Sequence, residues 1–210
     1  MKNKLFFFGL MAGLCLMLTA SHGVAQPYGY FQPRITLGGS AAQFRISLDE
    51  FENIYESRWG ASYGGFVGVR VFSAHYALLK YSTFQKAGKK GIHSQSGLDL
   101  RNAKWDEQWY SLGLRVHPPI LRKIQSYYGF GVAFFDVDEQ PGLSVFQDQD
   151  ENGLGSGFYL ELGLEYFPVE KASAFFEFEV ASGGTRGKTG FEAFSVGGYR
   201  FALGLTLWPF

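Results

Sequence analysis

The sequence predicts an all-β chain folded as an eight-stranded antiparallel up-and-down transmembrane β-barrel. Three observations carry the prediction. Eight segments alternate large apolar residues with small or polar ones at a period of two, which only strands produce. The connections between them alternate long and short, as in a meander whose two ends face different surroundings. Beyond the amino-terminus no stretch approaches the ~18 uninterrupted apolar residues of a membrane helix, so a chain of this kind that crosses a bilayer does so with strands.

The amino-terminus has the form of a secretory leader. Lys2 and Lys4 precede an apolar run over 5–18, and small residues follow up to Gly23, Val24 and Ala25. The run is too short for a helix across a ~30 Å hydrocarbon core, so it is expected to be an export signal rather than an anchor. Residues 1–25 are thus expected to be cleaved after Ala25, with 26–33 a periplasmic lead and 34–210 the barrel. The single cysteine, Cys15, lies in the leader behind Leu14, where lipid attachment would need a small residue; the mature chain then has no thiol chemistry. Without Lys2 and Lys4 the chain carries 17 basic and 19 acidic side chains, net −2, which offers no basic footprint for nucleic acid.

Strands are predicted at 35–44, 61–72, 76–86, 105–117, 125–135, 155–167, 173–182 and 194–208. The second sets Val67, Val69 and Val71 against Phe66, Gly68 and Arg70. The third alternates poorly, with Lys80 placed on its polar side. The fourth opposes Tyr110, Leu112, Leu114 and Val116 to Trp109, Ser111, Gly113 and Arg115. The fifth opposes Tyr128, Phe130, Val132 and Phe134 to Tyr127, Gly129, Gly131 and Ala133. The sixth gives Phe158, Leu160, Leu162, Leu164 and Tyr166 against Glu161, Gly163 and Glu165; the seventh gives Phe176, Phe178 and Val180 against Glu177 and Glu179. The eighth sets Tyr199, Phe201, Leu203, Leu205 and Leu207 against Arg200, Ala202, Gly204 and Thr206.

Which face points inward decides the class. Glycine on a solvated face would only weaken a strand, whereas an eight-stranded barrel is just wide enough for its own side chains and needs small residues inside. The apolar face is therefore expected to meet lipid. A soluble secreted barrel with the leucines inside is the competing fold. The short turns fall at 73–75, 118–124 and 168–172, two of them containing proline; the long connections are polar and charged. Both termini are then on the short-turn, periplasmic side.

The inner face is expected to hold four cations, Arg70, Lys80, Arg115 and Arg200, against four anions, Glu161, Glu165, Glu177 and Glu179. Balanced charges in a narrow lumen suggest a paired plug rather than a pore or a proton path. Trp59, Trp105 and Trp208 lie near strand ends, where interfacial aromatics anchor a barrel, and Trp109 is expected inside.

Over about 34–210 the chain resembles the small outer-membrane barrels of the opacity-protein and outer-membrane-protein-A/X type, on the leader, the eight alternating segments, the loop asymmetry and the terminal aromatic. The resemblance implies insertion by the barrel-assembly machinery, for which Trp208 and Phe210 would form the cue. Both are out of phase with the Leu203, Leu205, Leu207 face, and Pro209 stands between them. It also implies roles in adhesion, surface defence or anchoring, carried by loops that share no motif.

Two loop patterns imitate ligand sites. Asp148, Asp150, Asn152 and Gly153 match the first half of a calcium loop, but the closing glutamate position is Tyr159 and no helices flank it. Gly187, Lys188 and Thr189 end like a phosphate loop, but the required first glycine is Ser182. A solvated loop is the simpler reading of both. His75, His93 and His117, with Ser94 and Ser96, form no nucleophile, base and orienter set, so no enzyme and no cofactor are expected. The expectation is a monomer in the outer membrane, in contact with its lipid and the assembly machinery. Its closed, salt-bridged lumen leaves it to act structurally or through its loops on an extracellular or envelope partner that the sequence leaves unnamed. The alternatives are a small-solute channel or ligand carrier, a lipid-modifying enzyme, and a subunit of an envelope complex.

Overall fold

The computed structural model describes residues 34–48, 51–94, 97–118, 123–141, 151–187 and 195–209. The expected leader and lead segment, Phe210, Asp148 and Asp150 lie outside them. Eight strands, β1 (Ile35–Ile46), β2 (Trp59–Phe72), β3 (His75–Ser94), β4 (Gly97–Val116), β5 (Ile124–Pro141), β6 (Glu151–Val169), β7 (Ala172–Gly187) and β8 (Ser195–Leu207), pair each with the next. All pairs are antiparallel, and β8 returns to β1 through the register Ala42 to Ala202, closing the barrel.

The exposed large side chains are those of the leucine-bearing face. Leu203 and Leu205 are each 67% exposed and Phe158 73%, while the opposite-parity residues Tyr159, Glu161 and Arg200 are buried. A continuous apolar outer wall around a polar centre is the inverse of a water-soluble barrel, and it suits lipid outside. Glycines admit the large inner side chains. A Cβ at Gly163 would overlap the Tyr127 ring, and one at Gly131 would strike the Leu112 carbonyl and the Tyr159 ring.

Two of the short turns are tight. Phe72 pairs with His75 across a two-residue turn in which Ser73 takes φ 40°, and Val169 pairs with Ala172. The register shifts between Tyr166 and Val169, so Pro168 sits at an irregularity where no ladder donor is required.

The other end differs from expectation. The polar stretch expected as an 18-residue loop between the third and fourth strands is mostly ladder: β3 and β4 pair from His75 opposite Val116 to Ser94 opposite Gly97. Likewise β5 and β6 pair to Glu139 opposite Glu151, which places Asn152 in a strand opposite Asp138 rather than in a calcium-type loop. Ser182 and Gly187 of the phosphate-loop imitation are in β7. The residues there lack the apolar alternation by which strands are recognised, and the ladder continues all the same. At ~3.3 Å per residue and ~40° of tilt, a 20-residue strand rises roughly 50 Å, about twice the ~25 Å apolar band. The wall is uneven, because β1, β2 and β8 have only 12 to 14 residues. β3 thus runs ten residues past Phe84, its last partner of Ser62 in β2. The first long connection also carries a short helix, α1 (Glu52–Tyr55), over the mouth.

Candidate functional site

The interior is filled at three levels. At the short-turn end Trp208, Tyr76 and His117 form a buried aromatic group, with ring centroids 5.2 to 5.6 Å apart. Trp208 donates its indole N–H to Ser173 Oγ at 3.0 Å, and Ser173 donates to Glu165. Trp208 is therefore not an interfacial anchor: it shares the inward parity of Thr206 and is 3% exposed. His117 lies 3.6 Å from Glu165 Oε2, and burial together with the nearby Arg115 guanidinium holds the imidazole well below its usual pKa, in its neutral form.

The middle level is the charge cluster. Lys80, Arg115, Arg200, Glu161, Glu177 and Glu179 are each at most 4% exposed. The Lys80 ammonium is bonded to Glu161 and Glu179, and to Glu177 at 3.0 Å. Arg115 reaches Glu161 Oε1 at 2.6 Å and Glu177 Oε2 at 2.8 Å. Its guanidinium also lies 4.1 Å from the Tyr127 ring centroid and 4.6 Å from that of Phe66. Arg200 meets Glu177 at 3.5 Å and donates to Ser40. Tyr127 Oη donates to Glu177 at 2.9 Å, and Trp109 Nε1 approaches Glu179 at 3.4 Å. The carboxylates of Glu161, Glu177 and Glu179 come within 4.8 Å of one another, spacing that suits a metal ion, but Lys80 Nζ holds the centre.

Of the eight charged residues picked from the sequence, six meet in this cluster. Glu165 stands one level lower, with His117 and Ser173. Arg70 is half-buried near the short-turn end of β2, opposite Tyr76. His117 joined the inner set unforeseen, because an end-of-strand position shows nothing of what packs over it.

The upper level is aromatic. Phe44, Phe84, Trp109, Phe135 and Tyr159 form one buried group with Phe51 and Tyr55, which the α1 segment brings into the mouth. Trp105, expected at the interface, points inward and is 3% exposed; it shares the parity of Trp109 and Arg115, a signal present in the sequence. Trp59 does face outward, stacked on Phe201.

No family model matches the chain, and no curated protein sequence does. Solved structures do. Neisserial surface protein A is 12% identical, over 83% of this chain and 96% of that one, with a TM-score of 0.60. OprG of Pseudomonas aeruginosa is 15% identical, over 85% and 97%, at 0.49. Ail, the attachment invasion locus protein of Yersinia pestis, solved with the heparin analogue sucrose octasulfate, is 13% identical, over 84% and 100%, at 0.48. Identity this low speaks to fold alone. The chain has the fold of the small eight-stranded outer-membrane β-barrels.

Proposed function

We propose that this protein is exported to the outer membrane, where it is a sealed, non-catalytic barrel that presents its tall extracellular wall and loops to a partner outside the cell. The observation that carries the reading is the filled lumen. A solute would have to pass the Trp208 group, the charge cluster and the aromatic level in turn. Opening the middle level means separating ion pairs already out of water, at several kcal/mol for each charge left unpaired. The extracellular pairing from β3 to β7 then supplies a rigid surface well clear of the lipid.

Refolded protein in planar bilayers tests the reading. The expected trace is the lipid baseline, and sustained single-channel steps overturn the sealed lumen. Sedimentation of the expressed full chain with outer membrane, together with faster gel migration before boiling than after, is expected of a folded exported barrel. A soluble protein without that shift overturns the location.

A further inference from the structure

Among the described residues, Arg45 is the only charged side chain at an outward position of β1, β2 or β8. It shares the parity of Leu37 and Ala41, opposite to that of the buried Phe44 and Ile46, so its stem leaves the barrel on the apolar side. The register sets it between two exposed aromatic residues, Trp59 of β2 and Tyr199 of β8. Trp59 stacks on Phe201 at 6.3 Å, and Phe201 lies 5.0 Å from Phe178, so the rings form a row along the upper part of the apolar wall. Tryptophan and tyrosine gather at the depth where acyl chains give way to head groups.

What this patch lacks is an acceptor. Among the described residues, the Arg45 guanidinium, the Trp59 indole N–H and the Tyr199 hydroxyl hold no hydrogen bond or ion pair within the protein. Guanidinium and indole only donate, and the phenol donates as well as accepts. Lys86, whose ammonium donates to the Trp59 carbonyl at 2.7 Å, adds a second positive charge on the same rim. The far side of the barrel is different. There β4 and β5 turn Asp106, Asp136 and Asp138 outward beyond Tyr110 and Phe134, with Asp106 directly opposite Asp138. Lys104, 3.8 Å from Asp106, offsets one of the three.

A phosphate is an anion rich in acceptors, and the arginine fork fits two of its oxygens. We infer that Arg45, flanked by Trp59 and Tyr199, holds the phosphate of an anionic lipid of the outward-facing leaflet, whose chains lie on Phe201 and Leu203. The inference rests on the outer-membrane placement proposed above. A zwitterionic head group suits the patch less, because its own ammonium already neutralises the phosphate. The acidic side of the rim repels the same lipid, so the barrel gathers it on one flank.

The four tryptophans make a selective test: Trp59 faces outward, while Trp105, Trp109 and Trp208 are buried inside. Acyl chains brominated near the head group quench only a tryptophan that they touch. The folded barrel is placed in phosphatidylcholine vesicles, into which brominated phosphatidylglycerol or brominated phosphatidylcholine is titrated at fixed ionic strength. Phosphatidylglycerol is expected to occupy the position beside Trp59 about fivefold more strongly, the ratio that one cation gains near an anionic head group. Arg45→Gln is expected to bring the two lipids level, Arg45→Lys to keep a preference, and Lys104→Gln, a cation lost from the far side, to leave it unchanged. Each variant is checked for the boiling-dependent gel shift. Equal quenching by the two lipids in the parent, a preference that survives in Arg45→Gln, or one lost equally in Lys104→Gln overturns the inference and leaves the barrel in the membrane. Quenching by neither lipid, or quenching that persists in Trp59→Phe, overturns instead the outward apolar wall on which it rests.

Discussion

Removing Arg115 should be among the most damaging single changes to this barrel. In the cluster three carboxylates, Glu161, Glu177 and Glu179, face three cations, Lys80, Arg115 and Arg200. Arg115→Ala leaves three against two. Lys80 still touches all three acids, but Glu161 and Glu177 each lose a short charged bond, and the Tyr127 and Phe66 rings lose the cation between them. One uncompensated buried charge costs about 3–5 kcal/mol. Glu161→Ala inverts the imbalance, two against three, and is expected to cost a similar amount. The double variant restores two against two, so its cost should fall short of the sum of the singles by about 1–3 kcal/mol. Urea unfolding of the folded barrel, followed by tryptophan fluorescence with slopes compared across variants, measures all three. Single costs under about 1 kcal/mol, or strict additivity in the double, would refute a paired network and leave the charges as separately solvated groups.

Three further outcomes follow from named contacts. Tyr127→Phe keeps the ring on Arg115 but deletes the hydroxyl donor to Glu177, and should cost about 1.5–3 kcal/mol in the same assay; no loss would mean that the bond is replaced by water. Gly163→Ala sets a methyl group against the Tyr127 ring and should destabilise by about 1–3 kcal/mol, but cost little more when added to Tyr127→Leu; an equal cost in both backgrounds argues against crowding as the cause. Folded His117 is held neutral, so below its usual value of 6.5 only the unfolded chain takes up the proton. Stability should therefore fall as the pH drops through that region, by at most about 1.4 kcal/mol per pH unit, and His117→Gln should flatten that limb. An unchanged limb would assign the acid loss to other groups.

Much of the barrel was legible because lipid and lumen impose opposite chemistry on alternate residues. The run Leu203, Leu205, Leu207 against Arg200, Ala202, Thr206 states both the strand and its orientation, and Glu161, Glu177 and Arg115 could be assigned inward by parity before any pairing was known. Partner choice was not legible. Nothing in sequence order shows that Lys80 is shared by three acids while Arg70 lies near the rim, since that depends on the stagger between strands. Expectation failed where the alternation stops carrying information. Lys89 and Asn102 are exposed partners in a ladder, and a polar strand there resembles a loop. Phe51 and Tyr55 stand among acids in a long connection and show no period from which to predict a segment folding back into the mouth. For Trp105 and Trp208, both buried, parity is a better guide than distance from strand ends.

The uneven wall has a consequence for neighbouring copies. Where β3 outruns β2, one side of the strand from Gln85 onward has no partner in β2. Proteins crowded in a plane meet flank to flank, and a bare strand edge at a fixed height would invite the sheet of one copy to continue into the next. This edge is furnished against that. Lys86 reaches across to the Trp59 carbonyl, α1 rests against Gly88 so closely that a side chain there would strike the Ile54 carbonyl, and Lys89 stands exposed beyond them. The long ladder thus carries beside β2 an open flank whose lower part is occupied by a lysine and by α1, which leaves a second sheet little edge there to extend.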